Sequence, residues 1–367
     1  MKHSELFKLI FGLIPVAVLA LILLFFFFTF YLPRRRKSNV ELAASESTTD
    51  PDRIESDCEL VHEDLVCFQG GGDLHIPDIL DAPGEVIGKS SYGTLYKATL
   101  IRDHVDSLVL LRFLRPACSA SIKEVISVVN AVGLIRHPNL VPLHAFYVGP
   151  RGEKLLVYPF YNRGNLSEFI RDGNAESLKW EIIYKISYGI VKGLDHLHTG
   201  LNRQIIHGNL KSKNILLDSN YQPYLSDYGL HLLLNPTAGQ EMLKTSAAQG
   251  YKAPELIKMK DVNETTDIYS LGVVVLELLT GKEPIDPNPS HSREFYLPDV
   301  IRSAILDHQI GDLYHPDLLT DLNSEQKLIA EDRILKLVQL AITCCSPSPS
   351  LRPHIKEVLR KLKEIGK

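Results

Sequence analysis

His207-Gly208-Asn209-Leu210-Lys211-Ser212-Lys213-Asn214 reads HGNLKSKN. Its order matches the loop pattern H-R-D-L-x-x-x-N. In that pattern the aspartate accepts the proton of an attacking hydroxyl and the asparagine holds a metal ion. Here an amide, Asn209, stands at the base position, and an amide takes no proton at physiological pH. Gly208 stands where the pattern has a cation. Lys211 and Asn214 remain in register. The loop keeps its outline and loses its proton acceptor.

Working outward, further motifs fall in a fixed order. Gly88-Lys89-Ser90-Ser91-Tyr92-Gly93-Thr94-Leu95 approximates G-x-G-x-x-G-x-V, and Val109-Leu110-Leu111-Arg112 follows on a predicted strand. After HGNLKSKN come Asp227-Tyr228-Gly229, Ala253-Pro254-Glu255 and Arg352-Pro353. Short apolar runs at 85–88, 94–98, 107–113 and 154–158 read as strands, with one helix over 122–135 between them. Beyond residue 162 helices dominate. Ile183, Ile186, Ile190, Leu194 and Leu197 line one helical face, and residues 268–279 are apolar nearly all round, as a central buried helix requires. Amphipathic helices are predicted over 333–345 and 354–365.

Order and spacing together make residues 82–364 resemble a eukaryotic protein kinase domain. The stretches IRHPNLVPLHAFY, GEKLLVY, KSKNILLD and GYKAPEL, with the lead-in DLVCFQGGGDLHIPDIL, are similar to plant receptor-like kinases, particularly those with leucine-rich repeats. The resemblance implies an α+β, bilobal kinase-like fold, with a β-rich lobe over 82–160 and a helical lobe over 161–364. No leucine-rich-repeat ectodomain is evident in the chain.

The chain has 367 residues and a formal net charge of −4, which gives no reason to expect a nucleic-acid partner. Residues 9–32 carry no charge and would form a helix about 36 Å long, enough to span a bilayer. Arg34, Arg35, Arg36 and Lys37 follow, so the C-terminal side is expected in the cytosol, with residues 1–8 as a short outer tail. A cleaved signal peptide would need a shorter apolar core and a small-residue cleavage site. The basic run sets topology and is a candidate contact for anionic lipid. Residues 38–64 hold nine acidic residues against one arginine, so 33–81 reads as a basic, then acidic juxtamembrane linker. Five scattered cysteines without ligand spacing read as thiols.

Carried onto this chain, the resemblance implies a candidate ATP site of Gly88, Ser90, Gly93, Leu95, Leu110, Arg112, Tyr158 and Leu216. Arg112 replaces the lysine that grips phosphates, and its planar fork is not an equivalent cation. Leu110 and Leu95 add bulk at the purine site. Ser90 replaces a loop glycine, although its hydroxyl could donate to a phosphate. Counting back from His137 puts Val128 where the helix glutamate partner belongs; Glu124 is the nearest acid, and pairing with Arg112 would require a shifted helix. Asn214 and Asp227 are candidate magnesium ligands, with a purely loop-organising role as the alternative. Asn209 and Lys211 occupy the catalytic-loop positions. Glu255 and Arg352 match a structural ion pair, Asp267 a residue that holds the loop backbone, and Trp180 an aromatic packed before the long helix. Thr237, Thr245 and Ser246 are candidate phosphate acceptors in the activation segment.

Chemistry-bearing positions are altered while fold-bearing ones are kept. The expectation is therefore a plasma-membrane, single-pass pseudokinase that requires no cofactor. It would scaffold or modulate other receptor-like kinases or cytosolic signalling proteins. The competing expectation is a weak serine/threonine kinase using ATP and magnesium.

Overall fold

The computed structural model describes residues 64–367 except 73, 103–104, 173–178, 258–261, 286–295, 310, 312 and 321. The expected tail at 1–8, membrane span at 9–32 and basic run lie outside the described residues, as does the linker up to 63. Among the described residues no helix is long and apolar enough to cross a membrane.

The upper lobe is a six-stranded antiparallel sheet. In chain order it holds β1 (Asp64–Cys67), β2 (Gly84–Lys89), β3 (Gly93–Arg102), β4 (Val105–Leu114), β5 (Ala145–Val148) and β6 (Lys154–Pro159). Their order across the sheet is β1-β5-β6-β4-β3-β2. A short helix, α1 (Ile76–Leu80), precedes β2, and α2 (Ile122–Gly133) lies between β4 and β5. Residues 64–81, assigned to the linker on sequence grounds, thus contain a strand and a helix packed on the lobe. Leu74 and Ile79 cover one sheet face together with Ala98, Leu100, Val109, Leu111 and Val157. Phe68 pins β1 to α2, because a side chain added at Gly133 would run into the Phe68 ring.

The opposite sheet face carries Leu95, Lys97, Leu110, Arg112, Leu156 and Tyr158. Cross-strand partners Leu95↔Arg112, Lys97↔Leu110 and Leu110↔Tyr158 share it, since facing residues in an antiparallel ladder project to one side. This face looks toward the lower lobe.

The lower lobe comprises α3 (Leu166–Asp172), α4 (Trp180–Thr199), the hairpin β7 (Ile215–Leu217) and β8 (Pro223–Leu225), α5 (Pro236–Ala248), α6 (Glu264–Thr280), α7 (Leu297–Leu306), α8 (Ser324–Cys344) and α9 (Ile355–Ile365). The apolar face of α4 is fully buried at Ile183, Ile186, Ile190, Leu194 and Leu197. Each such side chain contributes about 2 kcal/mol relative to exposure. Nearly all of α6 is buried. The Asn263 side chain accepts from Thr266 N at its start, and Gly281 ends it at φ 69, a left-handed cap that glycine adopts without strain.

The helix α5 was not foreseen. Its first turn explains it locally: Asn235 caps by accepting from Ala238 N, Pro236 stands at the first helical position, and Glu241-Met242-Leu243-Lys244 are strong helix formers.

Candidate functional site

The loop around His207 is held by Asp267 at the start of α6. Its carboxylate accepts from His207 N at 2.7 Å and Gly208 N at 2.9 Å, and meets His198 Nε2 at 2.9 Å. Burial alone would raise the pKa of Asp267, but these donors hold it below the usual carboxylate value. Burial pulls the His207 imidazole down to about 4 and keeps it neutral. Asn214 Nδ2 donates to Asn209 O at 2.8 Å, closing the loop on itself.

Several polar groups of the loop are bonded from within the chain. Ser246 Oγ, near the C-terminal end of α5, donates to Asn209 Oδ1 at 2.7 Å. Lys211 Nζ donates to Gln249 Oε1 at 3.2 Å. Lys252 Nζ donates to Gly208 O at 2.6 Å, and burial brings its pKa down to about 8. Gly208 sits at φ +72, and a side chain there would meet His231 Nδ1 at 2.5 Å. His231 therefore fills the space beside Gly208, and Lys252 puts a cation next to the glycine. Neither was singled out from sequence, because their proximity to Gly208 arises only in the folded chain.

Arg112 extends from β4 across the cleft. Its Nη2 lies 2.8 Å from Asp227 Oδ1 and 2.8 Å from Oδ2. The two side chains are only 11% and 6% exposed, so the pair is shut away from water. Burial disfavours the Arg112 cation, but Asp227 more than compensates and its pKa stays raised. The conceivable Arg112–Glu124 pair is not formed. Glu124 instead closes a capping box at the start of α2, with its carboxylate on Ser121 N and Oγ. Val128, at the position counted for the partner acid, packs against the apolar clusters of both lobes. Asp227 meets the guanidinium directly, without any shift of α2.

The glycine-rich turn is closed as well. Ser90 Oγ is bonded to the backbone of Gly93, donating to its O and accepting from its N, both at 3.1 Å, and is not turned toward a phosphate. A Cβ at Gly93 would strike Phe113 O, which accounts for that glycine, whereas one at Gly88 would make only ordinary contact with Leu95. Tyr92, buried at the tip, lies close enough to Arg112 and Asp227 to feel both charges. Leu110 is 6% exposed. Leu216 lies on β7, in the lower lobe, opposite Tyr224.

These residues do not fit magnesium-bound ATP in this arrangement. Both Asp227 oxygens are taken by Arg112 Nη2, so the carboxylate that would hold the metal and the cation that would meet the phosphates occupy each other. The fold-bearing positions are each engaged. Arg352 Nη1 and Nη2 meet Glu255 Oε1 and Oε2 at 2.6 and 2.7 Å, and the guanidinium stands 4.8 Å from the Tyr269 ring centre. Trp180 is buried against Tyr184, with ring centres 5.7 Å apart.

A two-lobed molecule with this loop, ion pair and metal-type aspartate has a protein kinase fold. Residues 82–362 match the family model described as protein tyrosine and serine/threonine kinase, and the chain belongs to the plant receptor-like kinases within that fold class. It is 41% identical over 302 residues to a probable leucine-rich repeat receptor-like protein kinase of Arabidopsis thaliana, IMK3, covering 82% of this chain and 37% of that one. It is 37% identical over 293 residues to the probable inactive receptor kinase At1g48480 of Arabidopsis thaliana, covering 79% and 42%. The chain thus spans less than half the length of these two relatives. Among solved structures, the maize SIRK1 kinase domain bound to AMP-PNP matches with a TM-score of 0.71 at 29% identity, covering 83% of this chain and all of that one. The pseudokinase domain of BIR2, an immune regulator, matches with a TM-score of 0.63 at 29% identity, covering 77% and 80%.

Proposed function

We propose that this chain is a membrane-anchored receptor-like pseudokinase. It acts by binding other receptor-like kinases or cytosolic signalling proteins rather than by transferring phosphate. The observation that carries this reading is the Arg112–Asp227 contact, which removes the phosphate-gripping cation and the metal carboxylate together. Asn209 at the base position adds to it. General-base help contributes about 10²–10⁴-fold, and an amide supplies none. The anchor is the apolar segment 9–32, oriented by the cations at 34–37, with the kinase-like domain at the inner face of the plasma membrane. Relatives named as inactive receptor kinases and the BIR2 pseudokinase support the same reading.

The test is radiolabelled ATP turnover by the purified full chain in detergent micelles, with Asp227→Asn as control. The expected result is no incorporation above that control. Incorporation that disappears in Asp227→Asn would instead identify a weak kinase.

A further inference from the structure

The helical lobe carries an opening that shares no residue with the nucleotide cleft. A cavity of about 360 Å3 is bounded by the start of α4, the turn Pro316–Leu319 and the first half of α8. Its floor is apolar: Trp180, Leu318 and Ala330 line it and are buried. The chain itself fixes the walls. Tyr184 packs on Trp180 and donates its hydroxyl to Leu362 O at 3.2 Å, and Asn323 and Gln326 close a capping box that sets the start of α8. That volume lies in the lower part of the range for ligand pockets, about 300–1,000 Å3.

Two features say what the cavity would take. The first is apolar surface that the fold leaves unused. Leu328 and Ile329 stand side by side on α8, 71% and 47% exposed, and Ile329 also lines the cavity. Bulky apolar side chains at the mouth of a formed pocket are the usual anchor of an interface. The second is charge. Lys179 and Arg333 line the same cavity, and among the described residues neither has an ion-pair partner. The rim also holds two acids. Glu181 lies in the first turn of α4, where the helix dipole offsets its charge, and Asp317 has His315 at 3.8 Å. The half-buried Arg333 is thus left to meet a carboxylate with its planar fork. We propose that this cavity is a docking site for a peptide segment of a partner protein, with a bulky apolar residue flanked by acidic ones. The apolar residue enters above Trp180, the acids meet Arg333 and Lys179, and the adjoining peptide covers Leu328. Leu328 does not line the cavity, so a small free acid would leave it bare.

The inference rests on reading the chain as a binding protein, and it names the partner's chemistry. Trp180 is the single tryptophan of the chain, so its emission reports occupancy. The full chain in phosphatidylcholine vesicles is titrated with the blocked pentapeptides EELFE, KKLFK and EEAAE, and with phenylacetate. EELFE should change the emission saturably, and the other probes should bind at least about tenfold more weakly. Arg333→Met and Ile329→Asp should each weaken EELFE about fivefold or more. Neither residue is fully buried, and either variant alone keeps the test decisive. Leu134→Ser, at an exposed leucine of the upper lobe, should change nothing. The proposal is overturned if EELFE gives no saturable change, if KKLFK binds as tightly, if phenylacetate binds as tightly, which would mark a small-acid site, or if both variants bind like wild type. Nucleotide is absent throughout. Failure here therefore leaves the turnover test of the pseudokinase reading untouched, and ATP turnover would leave this site standing.

Discussion

Arg112 Nη2 stands 2.8 Å from each carboxylate oxygen of Asp227, joining β4 of the upper lobe to the segment that follows β8 in the lower. The contact ties together two side chains that the resemblance assigns to the nucleotide site. Asp227 holds φ 61, an uncommon conformation for a residue with a side chain, and the ion pair helps to keep it there.

Breaking this pair from one side should cost more than removing it. Asp227→Asn leaves a buried guanidinium without its counter-charge and is expected to lower stability by about 3 kcal/mol. The double variant Arg112→Met/Asp227→Asn should recover much of that loss. Urea unfolding of the single and double variants measures both.

Restoring the base alone should not restore chemistry. Asn209→Asp puts a carboxylate at the loop, but Arg112 remains on Asp227 and Val128 remains apolar. Radiolabelled autophosphorylation of this variant is expected to stay at the level of Asp227→Asn. Robust incorporation would show that the closed cleft opens freely.

Glu277, buried in α6, accepts from Ser212 Oγ at 2.9 Å and Tyr251 OH at 2.7 Å, yet burial pushes its pKa up to about 7. The folded chain therefore holds a proton there that the unfolded chain releases near pH 4.5. Stability from this group is present below that value and is lost as the pH rises through 7. The whole effect is on the order of 3 kcal/mol. The difference in melting temperature between wild type and Glu277→Gln, followed from pH 4.5 to 7.5, isolates it from the histidines, which slope the other way. The expected trend is a steady gain of the variant relative to wild type.

The brace between β1 and α2 should show in a double-mutant cycle. Gly133→Ala drives a methyl into the Phe68 ring and should destabilise by about 1–3 kcal/mol. With Phe68→Ala already in place, the same substitution should cost markedly less. Equal cost in both backgrounds would mean that Phe68 does not pack on α2.

Much of the fold was legible because it is written locally. The repeat from Ile183 to Leu197 and the continuous apolar run of α6 each specify a buried helix. The motifs from Gly88 to Arg352 identify the lobes by order. What could not be read depends on contacts distant along the chain. β1 is four residues long, and its partner β5 begins at Ala145, so DLVC reads as linker until the sheet forms. The partner of Arg112 is 115 residues away, whereas counting along α2 leads to Val128, with Glu124 the nearest acid. The filling of Gly208 by His231 and the seating of Ser246 on Asn209 depend on how the segment from Asp227 to Ala253 folds back. Its helix-forming composition gives the helix but not its place.

The central claim is that the chain's own side chains close the cleft to nucleotide. Thermal melting of the full chain in detergent micelles, with and without millimolar magnesium and ATP, tests it most directly. The expected result is the same melting temperature in both conditions. A stabilising shift that is absent from Asp227→Asn would contradict it, because it would show that Asp227 leaves Arg112 to hold the metal.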